Sequence, residues 1–161
     1  VDEVRADVPD AQLVIVGAGY EQERLANLIA ELDASSWVTL TGRASDAELV
    51  EWYQRAWVVA AASIAEGWGM TLTEAAACGT PAVATRIAGH LDSVADGESG
   101  LLSGDDREIV TNLRAVLSDT ELRTRLSEGA LKHAAAFTWQ ATAAGTLEVL
   151  VDEARRRRAH G

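Results

Sequence analysis

The sequence predicts an α/β fold, a Rossmann-like doubly wound parallel sheet with helices on both faces, and three observations carry that expectation. Apolar runs of strand length alternate with longer helical patterns. Most of these runs end in a glycine-bearing turn, as at Gly17-Ala18-Gly19, Gly42-Arg43 and the segment from Ser63 to Gly69. The chain has 161 residues, 48% of them hydrophobic, which is enough for one core of this kind.

Taken in order, residues 1–9 read as the tail of a helix, and 13–17 as the first buried strand. Residues 21–32 form a helical pattern, 38–41 a strand, and 46–55 a helix with Ser45 as its N-cap. The strand at 58–62 leads through a glycine turn into a helix over 70–78, which contains neither Pro nor Gly. A strand at 82–85, a short helix at 90–95 and a strand at 101–102 follow. Three helices close the chain at 105–117, 120–136 and 139–158, with Asp105, Thr120 and Thr138 as start signals. The expected organisation is a single domain over 1–161, with the helices of 105–158 packed on it.

Charge and cysteine usage narrow the function classes. A formal net charge of −11 argues against a nucleic-acid surface, because phosphate neutralisation needs a basic stripe and the chain has one lysine, Lys132. Arg155-Arg156-Arg157-Arg158 reads as a cationic helix C-terminus, with contact to an anionic membrane surface as the alternative. No apolar run approaches the ~20 residues of a membrane span, and no signal peptide opens the sequence. The single cysteine, Cys78, reads as a small buried residue on the apolar side of its helix; a reducing cytoplasm is the expected location, with peripheral contact at the inner membrane face the variant that the arginines suggest.

The segment 62–100 concentrates the chemistry. Gly67 and Gly69 free the backbone for a tight turn and for close approach of a ligand. The helix opening at Met70 then leaves the first-turn N–H groups, from Gly69 through Thr71 to Leu72, able to face an anion such as a diphosphate. Glu74 stands about one helical turn further in, where a carboxylate accepts two hydrogen bonds from a vicinal diol such as ribose. Glu66 lies on the loop just before the turn, so the two acids flank opposite ends of one ligand. Trp68 reads either as part of that site or as a cap on the core beside it. His90 reads either as a phosphate or sugar contact or as an ordinary residue at a helix start, and Arg86 as a surface side chain. In a doubly wound sheet ligands bind beyond the carboxyl ends of the strands, which places Gly17 and Arg43 on the same edge.

The string Glu66-Gly-Trp-Gly-Met-Thr-Leu-Thr-Glu74, followed by Cys78-Gly79-Thr80-Pro81 and by Asp96-Gly97-x-x-Gly100, resembles the donor-binding half of the retaining GT-B glycosyltransferases of the Glu-x7-Glu type, family 4, group 1. The likeness runs over roughly residues 10–150, from Pro9-Asp10-Ala11 to Phe137-Thr138-Trp139. The resemblance implies that Glu74 binds the nucleotide ribose, the N–H groups from Gly69 to Thr71 the diphosphate, and Glu66, the catalytic-site candidate, hydroxyls of the donor sugar. It assigns the loop after Thr41-Gly42 to the base, with Arg43 as the candidate contact. The implied partner is a nucleoside-diphosphate sugar, a substrate rather than a cofactor; no Asp-x-Asp pair occurs, and no bound divalent metal is expected.

Two other classes compete with it. A dinucleotide-dependent oxidoreductase would use Gly17-Ala18-Gly19, but Gln22 stands where the third glycine belongs and no acid follows the next strand. A non-catalytic nucleotide- or sugar-binding module is the serious alternative, because the resemblance also implies parts that this sequence lacks: an acceptor-binding half, and a first strand with basic residues for the phosphates. The expectation is therefore a fragment of a two-domain enzyme, inactive alone. The missing strand falls between 13–17 and 58–62, leaving two rows of backbone groups to be satisfied by direct pairing of the neighbours, by strand exchange between chains, or by another piece of the same protein.

Overall fold

The computed structural model describes residues 1–159; the last two residues of the expected 1–161 unit lie outside it. Among the described residues, eight helices and five strands alternate through most of the chain. A short α1 (Asp2–Arg5) precedes β1 (Leu13–Val16), α2 (Gln22–Glu31), β2 (Val38–Gly42) and α3 (Asp46–Arg55). Then follow β3 (Val59–Ala61), α4 (Met70–Ala77), β4 (Ala82–Thr85), α5 (Ala88–Ser93) and β5 (Gly100–Ser103). Helices α6 (Asp106–Ser118), α7 (Thr120–Ala134) and α8 (Trp139–Ala159) end it. The strand pairings are parallel, β1 with β2, β3 with β4 and β4 with β5, as connections through helices require.

The side-chain alternation of β4 builds the two-sided core. Val83 enters one apolar cluster with Val4, Leu113, Val116 and Leu126, drawn from α1, α6 and α7. Its neighbours Ala82 and Ala84 point the other way, into a cluster with Leu72 of α4, Val94 and Leu102. The period of two in a strand thus covers both faces of the sheet, and the alanines let α4 lie close. Complete burial of Leu72 and Leu126 contributes on the order of 1.5–3 kcal/mol each.

The sheet is interrupted where the sequence implies a gap. The strands form a pair β1-β2 and a trio β3-β4-β5, and among the described residues no hydrogen-bonded ladder joins β1 to β3. Of the three ways to satisfy those edges, direct pairing of the neighbours is not the one adopted. Helix α1 is instead tied to the body by side chains: Arg5 donates to the Ala11 carbonyl and lies 5.0 Å from the Trp37 ring, while Arg114 of α6 pairs with Asp7.

Helix starts agree with the sequence at most points. Ser45 and Glu48 close a capping box on α3, Asp105 caps α6, and Thr138 accepts from the Ala141 N–H at the start of α8. For α7 the cap is Asp119 rather than Thr120, since its carboxylate accepts the Leu122 N–H. One larger correction concerns 105–158. Helices α6 and α7 pack on the sheet, but the residues of α8 from Trp139 to Arg158 are exposed, including Leu147, Val149 and Leu150. No helix among the described residues is long and apolar enough to cross a membrane. Within the terminal arginine run, Arg155 pairs with Asp152 and Arg157 with Glu153, along one helix.

Candidate functional site

The strand ends carry the candidate residues in two groups. At the β1-β2 end Gly17, with φ at +134°, donates its N–H to the Gly42 carbonyl at 2.8 Å, and Arg43 follows as an exposed side chain. The second group gathers around the loop after β3. Thr85, at the end of β4, donates its hydroxyl to the Ser63 carbonyl at 2.7 Å, and Ser63 in turn donates to Glu66 Oε1 at 2.9 Å. Glu66 is therefore an exposed carboxylate with one oxygen held from its own loop.

Helix α5 forms the back wall of that loop. A Cβ on Gly89 would lie 2.5 Å from the Glu66 carbonyl oxygen and 2.9 Å from the Trp68 nitrogen, so two backbones meet there and only glycine fits. His90 is 1% exposed; its Nδ1 lies 2.8 Å from the Thr85 carbonyl, which fixes that nitrogen as the protonated one, and its Cδ2 faces Gly69. Of the two readings of His90, the structure thus gives a buried buttress of the glycine turn. The helix itself begins two residues before the expected His90 start, at Ala88, and includes Gly89.

Gly69 is the N-cap of α4, in the left-handed region at φ +83°, and it supplies no side-chain cap. The backbone corrects one expectation here. The Leu72 N–H donates to the Gly69 carbonyl at 3.0 Å and its side chain is 1% exposed in the core, so Leu72 leaves the donor set and anchors the turn. The donors that helix geometry leaves open are those of Gly69, Met70 and Thr71. Gly67 sits in open space before them, with no atom within 4 Å of the point where a Cβ would stand.

Glu74, one turn inside α4, is exposed but not free. Its Oε2 accepts a hydrogen bond of 3.1 Å from the hydroxyl of Tyr53, a buried residue of α3 that sequence reasoning did not single out. Burial, and next the Glu74 charge, push the Tyr53 phenol well above its ordinary range, so it stays a donor. The same two influences raise the Cys78 thiol, which accords with a half-buried residue that is no nucleophile. Tyr53 could have been suspected only from the apolar side of α3, where Leu49 and Tyr53 lie one turn apart.

Trp68 is partly exposed and meets Phe137 edge to face at 5.2 Å; with Trp139, Thr138, Gln140 and Thr142 these rings line an open cleft beside the loop. Arg86 is engaged elsewhere, in an ion pair with Asp96 and a bond to the Leu102 carbonyl. Burial raises the Asp96 carboxyl, but the Leu102 N–H, Arg86 and the Gly97 N–H together outweigh it and hold the group below its usual range. Among the described residues no cluster of three or more His, Cys, Asp or Glu is placed to hold a metal ion.

Comparison with known proteins gives this geometry its relatives. A D-inositol 3-phosphate glycosyltransferase of Frankia alni is 41% identical over 134 residues, covering 81% of this chain and 33% of the relative. One of Stackebrandtia nassauensis is 39% identical over 156 residues, covering 92% and 35%. The chain therefore spans about a third of the length of the curated relatives it matches. Among solved structures, sucrose-phosphate synthase from Thermosynechococcus elongatus superposes with a TM-score of 0.79 at 27% identity, over 94% of this chain and 41% of that one. The Anabaena protein Alr3699/HepE, solved in complex with UDP, shares the fold at a TM-score of 0.78 and 23% identity, over 94% and 44%. The α/β architecture with parallel sheets between helices is that of the C-terminal domains of GT-B glycosyltransferases. The family model for glycosyl transferases group 1 matches residues 1–133, and the chain belongs to that family.

Proposed function

We propose that this chain is the donor-binding domain of a glycosyltransferase that moves a sugar from a nucleoside-diphosphate sugar to an acceptor hydroxyl with retention of configuration. The observation that carries this reading is the start of α4: a glycine cap that leaves the N–H groups of Gly69, Met70 and Thr71 open, with the Glu74 carboxylate one turn behind them. In this reading those donors and the positive end of the helix meet the negative charge that builds on the departing diphosphate. Glu74 accepts from the ribose hydroxyls, Glu66 contacts hydroxyls of the sugar, and Arg43 and Gly17 lie on the side of the base. Trp68 is exposed enough to line the sugar side of the loop. UDP in the Anabaena neighbour supports a nucleotide in a domain of this fold.

The acceptor, in this reading, is brought by the rest of the protein, which supplies the positioning that a bimolecular transfer needs. A further strand of the same protein fills the open edges of β1 and β3. Titration calorimetry with UDP-, GDP- and ADP-sugars tests the donor role: one of them binds, and binding of none sinks the proposal. Diphosphate charge is met here by helix N–H groups, so EDTA leaves turnover of the full-length protein unchanged. Loss of activity in EDTA, restored by Mg²⁺ or Mn²⁺, would overturn that part.

A further inference from the structure

Glu74 lies on the solvent side of α4, where a glutamate ordinarily samples several rotamers and loses side-chain entropy when it is fixed. The structure removes part of that freedom in advance. Tyr53 is 8% exposed, wedged between α3 and α4, and its backbone carbonyl accepts the hydroxyl of Thr80, itself 2% exposed. The carbonyl bond ties the Tyr53 backbone and burial confines its ring, and the one hydroxyl proton goes to Glu74 Oε2 at 3.1 Å. A phenol has a single proton to give, so the bond has a direction: one carboxylate oxygen is tied to α3 and the other, Oε1, is left for a ligand, together with the remaining lone pair on Oε2.

A vicinal diol needs two acceptors held at a set angle, whereas a single hydroxyl is content with one mobile oxygen. We propose that Tyr53 is a positioning residue whose hydroxyl holds the Glu74 carboxylate in the orientation that selects a ribose diol over a deoxyribose. The inference rests on the reading of Glu74 as the ribose contact and adds to it a device for sugar discrimination within the nucleotide. It differs from a plain structural stitch between α3 and α4, which would weaken every ligand of the site alike.

The test measures dissociation constants of the full-length protein for UDP, GDP and ADP and for their 2′-deoxy counterparts. The native protein prefers the ribonucleotide. Tyr53→Phe, which removes one oxygen and keeps the ring, weakens ribonucleotide binding by about three- to tenfold, the worth of one hydrogen bond, and leaves the deoxynucleotide within about twofold. The preference therefore collapses, and in a Glu74→Gln background Tyr53→Phe adds nothing further. Equal weakening of both nucleotides in Tyr53→Phe, with the preference intact, overturns the inference; the Glu74 reading survives if Glu74→Gln by itself erodes the preference. A preference that Glu74→Gln leaves untouched, or failure of all three diphosphates to bind, overturns both. Should Tyr53→Phe fail to fold, Glu74→Asp, which withdraws the carboxylate from the tyrosine by one methylene, replaces it. Retention of the preference in that variant also overturns the inference.

Discussion

Helices α3 and α4 both follow a strand and both begin at a loop, yet one start is closed and the other open. At α3 the Ser45 hydroxyl accepts the Glu48 N–H while the Glu48 carboxylate accepts the Ser45 N–H at 2.8 Å, so the cap residue and the third helical residue satisfy each other through side chains. At α4 a left-handed glycine takes the cap position and offers nothing to Met70 or Thr71. The open start is held by tertiary contacts instead: Gly69 against His90, and the Glu66–Trp68 backbone against Gly89. Position 69 takes glycine where 45, 105 and 119 take Ser or Asp, because its φ of +83° and the close approach of His90 disfavour any side chain there. The difference separates a turn that carries its own side-chain cap from one whose first donors have no side-chain acceptor, which is where the proposed donor site lies.

The largest effect should come from breaking the support of the open turn. A Gly89→Ala side chain meets backbone atoms at 2.5 and 2.9 Å, which no rotamer change relieves. We expect a loss of roughly 2–3 kcal/mol in urea unfolding, the scale of overpacking in a dense region, together with loss of nucleotide binding. Unchanged unfolding and unchanged affinity would show that α5 does not hold the loop.

Next in size is the division of labour between the two acids of that region. Ribose contacts survive in a product nucleotide and sugar contacts do not. Glu74→Ala should therefore weaken binding of the free nucleoside diphosphate by about ten- to a hundredfold, the range of a charge-assisted bond of roughly 1.5–3 kcal/mol. Glu66→Ala should leave that affinity close to native, since in the proposed reading Glu66 contacts the donor sugar, which the product nucleotide lacks. Calorimetry that returns equal losses for both would refute the assignment.

What the sequence discloses follows the range of the forces involved. Local rules locate β4 at Ala82–Thr85 and α4 from Met70, because turn chemistry and period are written in neighbouring residues. The interruption between β1 and β3 is legible too, through the family likeness. Features set by distant packing are not. The glycine at 89 suggests a break before a helix starting at His90, whereas it lies inside α5 because another backbone passes there. Leu72 reads as a free donor until the turn closes on Gly69, and Tyr53 is joined to Glu74 across 21 positions by the packing of α3 on α4. The exposure of α8 is equally invisible, since the sequence reads as a helix packed on the domain like α6 and α7.

The smallest predicted effect is the one that sharpens the comparison most, because it touches the closed turn alone. Ser45→Ala removes the cap of α3 and should cost about 1 kcal/mol of stability. The Ser45 N–H, and after it the Ser45 hydroxyl, hold the Glu48 carboxyl below its usual range. A depressed carboxyl stabilises the fold above its unfolded pKa and loses that contribution as pH falls through the folded value. Ser45→Ala keeps the backbone N–H and loses only the hydroxyl, so the gap between the two proteins should narrow slightly as pH falls and Glu48 takes up its proton. Nucleotide affinity should fall far less than in Gly89→Ala, because Tyr53 lies two turns from the cap and Arg43, the base candidate, precedes the cap rather than joining it. If Ser45→Ala weakens nucleotide binding as much as Gly89→Ala does, the two helix starts are not separate in function, and the contrast between a closed turn and an open one loses its meaning.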